Sequence, residues 1–269
     1  MTENLLFAFG LTLMAGLATG IGSLLAFFTS TTNTKFLSFA LGFSAGVMIY
    51  VSMIEIFVKA QDALVHSMGN EMGRWLTVIG FFGGMALIAV IDRIIPKHGN
   101  PHEVKKVEDM TRPTKEIKDA QLLKIGTFTA LAIGIHNFPE GIATFTSALQ
   151  DPALGVAIAI AIAIHNIPEG IAVSVPVYFA TGDRKKAFKL SFLSGLSEPI
   201  GALVAYLFLM PYLNEIMFGM IFASVAGIMV FISLDELLPA AKKYDEAHTS
   251  IYGLIAGMIV MAVSLLLII

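Results

Sequence analysis

From Asn4 to Thr34 the chain has no Asp, Glu, Lys or Arg, and from Ala247 to Ile269 it again has none. Each run is at least as long as the roughly 20 apolar residues needed to cross a bilayer. An uncharged stretch of that length restricts the folds open to the chain. In hydrocarbon every backbone N–H and C=O must be satisfied internally, which leaves the α-helix and the closed β-barrel. Barrel strands alternate apolar and polar positions, whereas these runs are continuously apolar, so the barrel is excluded. Charged residues make up only 14 % of the 269 residues, against about 25 % in a typical soluble domain. The expected fold class is all-α: a polytopic membrane protein forming one transmembrane domain over residues 1–269.

Eight spans are expected, at about 5–28, 36–60, 75–95, 124–148, 153–178, 187–210, 212–238 and 250–269. The distribution of basic residues supports that number. Of 17 Lys and Arg, 15 fall in one set of alternate connections, which includes Lys35, Lys105, Arg184 and Lys242. Only Lys59 and Arg74 fall on the other side. The positive-inside rule makes the first set cytoplasmic and leaves both termini outside. The first run lacks a basic cluster before it and is expected to be a span, not a removable signal. The longest connection, about 96–123, mixes both charge signs and is expected to be a flexible cytoplasmic loop. His98 and His102 lie in it and are read as solvated.

The chemistry is concentrated in a duplicated hexapeptide. His136-Asn137-Phe138-Pro139-Glu140-Gly141 returns as His165-Asn166-Ile167-Pro168-Glu169-Gly170. Residues at i, i+3 and i+4 share a helix face, so each glutamate stands beside both its His and its Asn. The fourth and fifth spans meet at a turn near Gln150-Asp151-Pro152. His136 and His165 each lie roughly 21–23 Å along their helices from that turn, at matched depth. The helices run antiparallel, so the two patches can face each other. Pro139 and Pro168 lack an N–H, which frees the carbonyls of Ile135 and Ile164 and is expected to kink both helices. Backbone exposed at mid-depth is a feature of transporter substrate sites. The sixth span adds Glu198-Pro199, roughly 17 Å from its cytoplasmic end.

Carboxylates at this depth are costly and mark function. The chain has no cysteine, so thiolate ligands and disulfides are excluded. His136, Glu140, His165 and Glu169 offer two nitrogens and two carboxylates, a set suited to tetrahedral Zn²⁺. Asn137, Glu140, Asn166, Glu169 and Glu198 offer an oxygen-rich set suited to Fe²⁺ or Mn²⁺. Glu140 and Glu169 would bridge the two. Cations, or protons in their absence, would relieve repulsion among the carboxylates.

At these residues the chain resembles the ZIP family of divalent-metal transporters, most closely its bacterial zinc-permease branch. The resemblance covers essentially the whole chain and rests on the paired HNxPEG motifs and Ser197-Glu198-Pro199. It implies eight spans, both termini outside, and uptake of zinc into the cytoplasm, with Fe, Mn, Co and Cd as further cargo. It also implies a first metal site from Glu140, His165 and Glu169, with His136 adjacent. The second site it implies comprises Asn137, Glu140, Asn166, Glu169 and Glu198. The metals are transported substrates, and no cofactor is expected. The expected partners are divalent metal ions and the bilayer of the cell membrane, with no nucleic acid. The sequence does not fix the oligomeric state and is compatible with a homodimer.

Two other function classes fit the sequence less well. An intramembrane metallohydrolase would need an open zinc position and a general base. The His-Glu-x-x-His string of such enzymes is absent, so the chain is not expected to be an enzyme. A proton-coupled carrier of organic solutes would leave both His-Asn pairs unexplained. Glu55, Asp235 and Glu236 lie near span ends, where guiding cations and simple interfacial solvation are both open readings.

Overall fold

In a computed structural model the described residues are 2–28, 34–94, 116–212, 214–243 and 248–268. Among them there is no strand. The helices are α1 (Thr2–Phe28), α2 (Thr34–Val51), α3 (Phe57–Met68), α4 (Asn70–Ile94), α5 (Glu116–Gln150) and α6 (Pro152–Thr181). They are followed by α7 (Arg184–Gly195), α8 (Ser197–Val204), α9 (Glu215–Ile232), α10 (Leu238–Lys243) and α11 (Thr249–Ile268). The expected all-α class is what the chain adopts.

Among the described residues seven segments are long and apolar enough to cross a membrane. They are Asn4–Leu25, Ser38–Met68, Asn70–Arg93, Pro152–Val175, Arg184–Tyr212, Glu215–Lys242 and Thr249–Leu267. Helix α5, 35 residues long, stands where the fourth span was expected. It begins at Glu116, so residues 116–123, read from sequence as loop, are helical. The rest of that expected loop, with His98 and His102, lies outside the described residues.

Local signals explain the helix boundaries. The Asp151 carboxylate accepts from the N–H groups of Ala153 and Leu154 at 3.0 and 3.4 Å, and Pro152 fills the first helical position of α6. Gly182, at φ 66°, closes α6 in the left-handed region that glycine tolerates. Asp183 then caps α7, and Asn214 caps α9 through the Met217 N–H at 2.9 Å. The second span is longer than expected. Instead of ending near residue 60 it continues to Met68 through a π-turn at Ser52–Ile56.

The three prolines next to glutamates do not all behave alike. Helices α5 and α6 run without a break through Pro139 and Pro168. At Pro199 the helix is interrupted: α7 ends at Gly195 and α8 begins at Ser197. The proline ring clashes with the carbonyl four residues back, here that of Gly195, and Leu196 takes up the offset.

The helices form two groups. α1, α5, α6, α7 and α8 pack on one another, and α2, α3, α4, α9, α10 and α11 pack on one another. The contact between groups runs mainly through α6 against α2 and α11, and α5 against α9. In the second group, π-turns at Ser52–Ile56 and Ser233–Leu237 are reciprocal. The first packs on α9 and the second on α2. Glu55 and the Asp235-Glu236 pair both sit in these π-turns. Glu236 is buried and Asp235 exposed, while Glu55 is half-buried, 3.9 Å from Lys59.

Glycines bring the backbones together. Cβ atoms at Gly42 and Gly46 would overlap the carbonyls of Ser250 and Leu254 on α11, and those at Gly253 and Gly257 would overlap Phe39 and Phe43 on α2. These small-xxx-small pairs are therefore used between helices of one chain.

Candidate metal centre

The two motif copies do face each other. α5 brings Asn137 and Glu140, α6 brings His165, Asn166 and Glu169, and α8 brings Glu198. Asn137, Glu140, His165, Asn166 and Glu198 have no exposure at all, and Glu169 keeps only 6 %. The side chain of His136 lies outside the described residues, and its backbone belongs to α5.

His165 links the two helices. Its Nε2 lies 3.4 Å from Glu140 Oε2 across the interface and 3.3 Å from Glu169 Oε1 one turn along its own helix. Asn137, with its amide oriented to suit its neighbours, donates to Ile133 O at 3.1 Å and to Glu169 Oε2 at 3.2 Å. The asparagine of the first copy thus meets the glutamate of the second. Sequence spacing had placed each Asn beside its own Glu. The antiparallel packing adds these cross-helix partners.

Asn166 is the junction with the other elements. Its Nδ2 donates to Glu198 Oε1 on α8 and to the main-chain carbonyl of Ala15 on α1, the latter at 2.9 Å. Both oxygens of Glu140, Oδ1 of Asn166 and Oε2 of Glu198 are buried without hydrogen-bond partners. Among the described residues no Lys or Arg is buried to balance these carboxylates. Unpaired buried carboxylate oxygens cost several kcal/mol unless a proton or cation compensates, as a general order of magnitude.

Sequence reasoning missed the role of the glycine that ends each motif. A Cβ at Gly141 would overlap the carbonyl of Glu198, so Gly141 lets α8 reach the centre. A Cβ at Gly170 would overlap the carbonyl of Thr19, so Gly170 lets α1 in. Gly201 makes the return contact with Phe138 O, and Gly22 with Ile167 O. Hydroxyls add to this contact: Ser23 and Ser191 both donate to Gly170 O at 3.2 Å. The signal available in the sequence was the repetition of Gly itself, at the same offset in both copies.

The donor chemistry is imidazole, carboxylate and amide oxygen, without sulfur. Imidazole suits Zn and Fe, and carboxylates with amide oxygen suit harder ions such as Mn. Two ligands of a tetrahedral zinc with bonds of about 2.0 Å stand roughly 3.3 Å apart, close to the two His165 separations. Among the described residues, which exclude the His136 side chain, no three His, Asp or Glu side chains already form a group that would hold an ion.

A family model described as ZIP zinc transporter matches residues 95–265. The chain is 73 % identical over 265 residues to a protein of Oceanobacillus iheyensis named zinc transporter ZupT, covering 98 % of this chain and 99 % of the relative. It is 71 % identical over 269 residues to the protein of the same name from Lysinibacillus sphaericus, with full coverage of both. It is 61 % identical over 267 residues to the one from Streptococcus mutans, covering 99 % of each.

Proposed function

The chain belongs to the ZIP zinc transporter family, and from that premise we propose that it carries zinc into the cytoplasm through a two-metal centre between α5, α6 and α8. It is a multi-pass protein of the cell membrane. Zinc is cargo, and the protein is a permease, not an enzyme. The observation that carries the reading is His165 Nε2, fully buried, 3.3–3.4 Å from carboxylates on two different helices.

In this reading Glu140, His165 and Glu169, with His136 adjacent, hold zinc at the first site. Asn137, Glu140, Asn166, Glu169 and Glu198 form the second, which accepts Fe, Mn, Co and Cd as well. Glu140 and Glu169 are shared, so a metal in one site draws charge from the other. The tight centre favours alternating access over an open pore, because multidentate binding slows release. The division of the helices into two groups supports this, since the centre lies within one group and the other can shift against it.

The same reading takes α5 as a span. The chain then has eight spans in one transport domain, with both termini outside and the connection before α5 in the cytoplasm. A homodimer is compatible, but its interface would use surfaces other than the glycine pairs, which are occupied within the chain.

The test is radiolabelled Zn²⁺ uptake into proteoliposomes by wild type, His165→Ala and Glu198→Ala, with Fe²⁺ and Mn²⁺ as competitors. Loss of Zn²⁺ flux in His165→Ala, with Glu198→Ala mainly altering competition, is expected. Equal flux in all three proteins would remove the centre from the transport path.

A further inference from the structure

The second copy of the motif is held by a helix that carries no motif residue. Asn166 Nδ2 gives one hydrogen to Glu198 and the other to the Ala15 carbonyl on α1. Oδ1 is left buried and without a hydrogen-bond partner. Hard metal ions bind an amide through its oxygen. Turning the amide over would set Oδ1 against two acceptors, so these two bonds together choose which atom Asn166 offers to the centre. Glu198 is itself a ligand in the two-metal reading, and its oxygens are drawn to a metal when one binds. The Ala15 carbonyl has no such competing role.

That carbonyl is accessible because Thr19 departs from a local habit. Thr12, Thr77, Thr144, Thr146 and Thr181 each donate their hydroxyl to the carbonyl four residues back. Thr19 stands four residues after Ala15 and does not, its buried Oγ1 having no hydrogen-bond partner. The second lone pair of Ala15 O is thereby left to Asn166. The height of α1 at this level is set by a bare backbone crossing: a Cβ at Gly16 would overlap Gly195 O, and one at Gly195 would overlap Gly16 O. Gly195 immediately precedes the Leu196 break that turns Glu198 toward the centre.

We infer that Ala15, seated by the Gly16–Gly195 crossing, is a positioning element that presents Asn166 Oδ1 as an oxygen ligand. It thereby sets the preference of the second site for harder ions such as Mn²⁺. The inference rests on the two-metal reading.

The experiment compares KM for Mn²⁺ and for Zn²⁺ in proteoliposomes holding the full chain. The variants are Gly16→Ala, Asn166→Ala and, as control on the same helix, Gly20→Ala. The nearest atoms to a Cβ at the control position are side-chain ring atoms of Phe192 and Phe188, the closest at 3.2 Å. Gly16→Ala is expected to raise KM for Mn²⁺ about tenfold while KM for Zn²⁺ moves less than about threefold, the scale of outer-shell effects on metal affinity. Gly20→Ala should change neither. A second probe replaces the Ala15–Gly16 peptide bond by an ester. This weakens the Ala15 carbonyl as an acceptor without adding a side chain, so it serves if Gly16→Ala does not fold. It should give the same Mn²⁺-selective rise. A rise of both KM values alike, or of neither, in the folded Gly16→Ala or ester protein would overturn the inference. If Asn166→Ala itself leaves Mn²⁺ uptake unchanged, the two-metal reading fails. If Asn166→Ala raises KM for Mn²⁺ and the α1 variants do not, only the role of α1 falls.

Discussion

His165 on α6 and Glu140 on α5 approach to 3.4 Å with neither side chain exposed to any solvent. They belong to different copies of one motif, 25 residues apart in sequence. Their contact is what joins two helical repeats into one buried polar cluster.

Metal should stabilise the fold through that contact. Zinc at a hundredfold its Kd is expected to add about 2.7 kcal/mol to the folded state. Thermal unfolding in detergent, with and without a chelator, measures it. The shift should vanish in His165→Ala, and an undiminished shift there would place zinc elsewhere.

Gly141→Ala should destabilise the protein by about 1–3 kcal/mol, because its new methyl meets the Glu198 backbone and cannot be accommodated by a rotamer change. Gly83→Ala is the comparison. A Cβ there has nothing within 4 Å, and removing a mid-helix glycine is expected to gain roughly 0.5–1 kcal/mol. Opposite shifts in melting temperature are the predicted result. Equal shifts would contradict the close approach of α5 and α8.

Asp151→Ala removes the cap of α6 and leaves the N–H groups of Ala153 and Leu154 without their acceptor. A loss of about 1 kcal/mol in stability is expected, with zinc affinity unchanged because the cap is remote from the centre. A large change in zinc KM would instead tie the outer turn to binding.

The chain has no cysteine, so single introduced cysteines report topology without background. With eight spans, Asn4→Cys should react with an impermeant maleimide applied from outside. Asn100→Cys should react only after permeabilisation. Labelling of both from the same side would contradict the three spans proposed between these positions.

Reading the sequence located the helices well because hydrocarbon leaves little choice: a run of twenty uncharged residues in a bilayer must close its own hydrogen bonds. What neighbours decide was not legible in it. Pro139, Pro168 and Pro199 have the same ring chemistry, yet only Pro199 interrupts its helix. The second span was expected to stop near residue 60, but it continues to Met68 through the π-turn at Ser52–Ile56.

The sequence by itself determined the all-α class and the duplicated His-Asn-x-Pro-Glu-Gly motif. Both depend on residue type and helical period, which are local. Only the tertiary structure decided which of these side chains pair. Asn137 meets Glu169, and His165 meets Glu140, because antiparallel packing sets opposite copies side by side. The tertiary structure also brought in Ala15. Its contribution is a main-chain carbonyl, a group every residue carries, so its sequence bears no mark. It acts only because glycines at 16 and 195 let two backbones approach at the depth of Asn166.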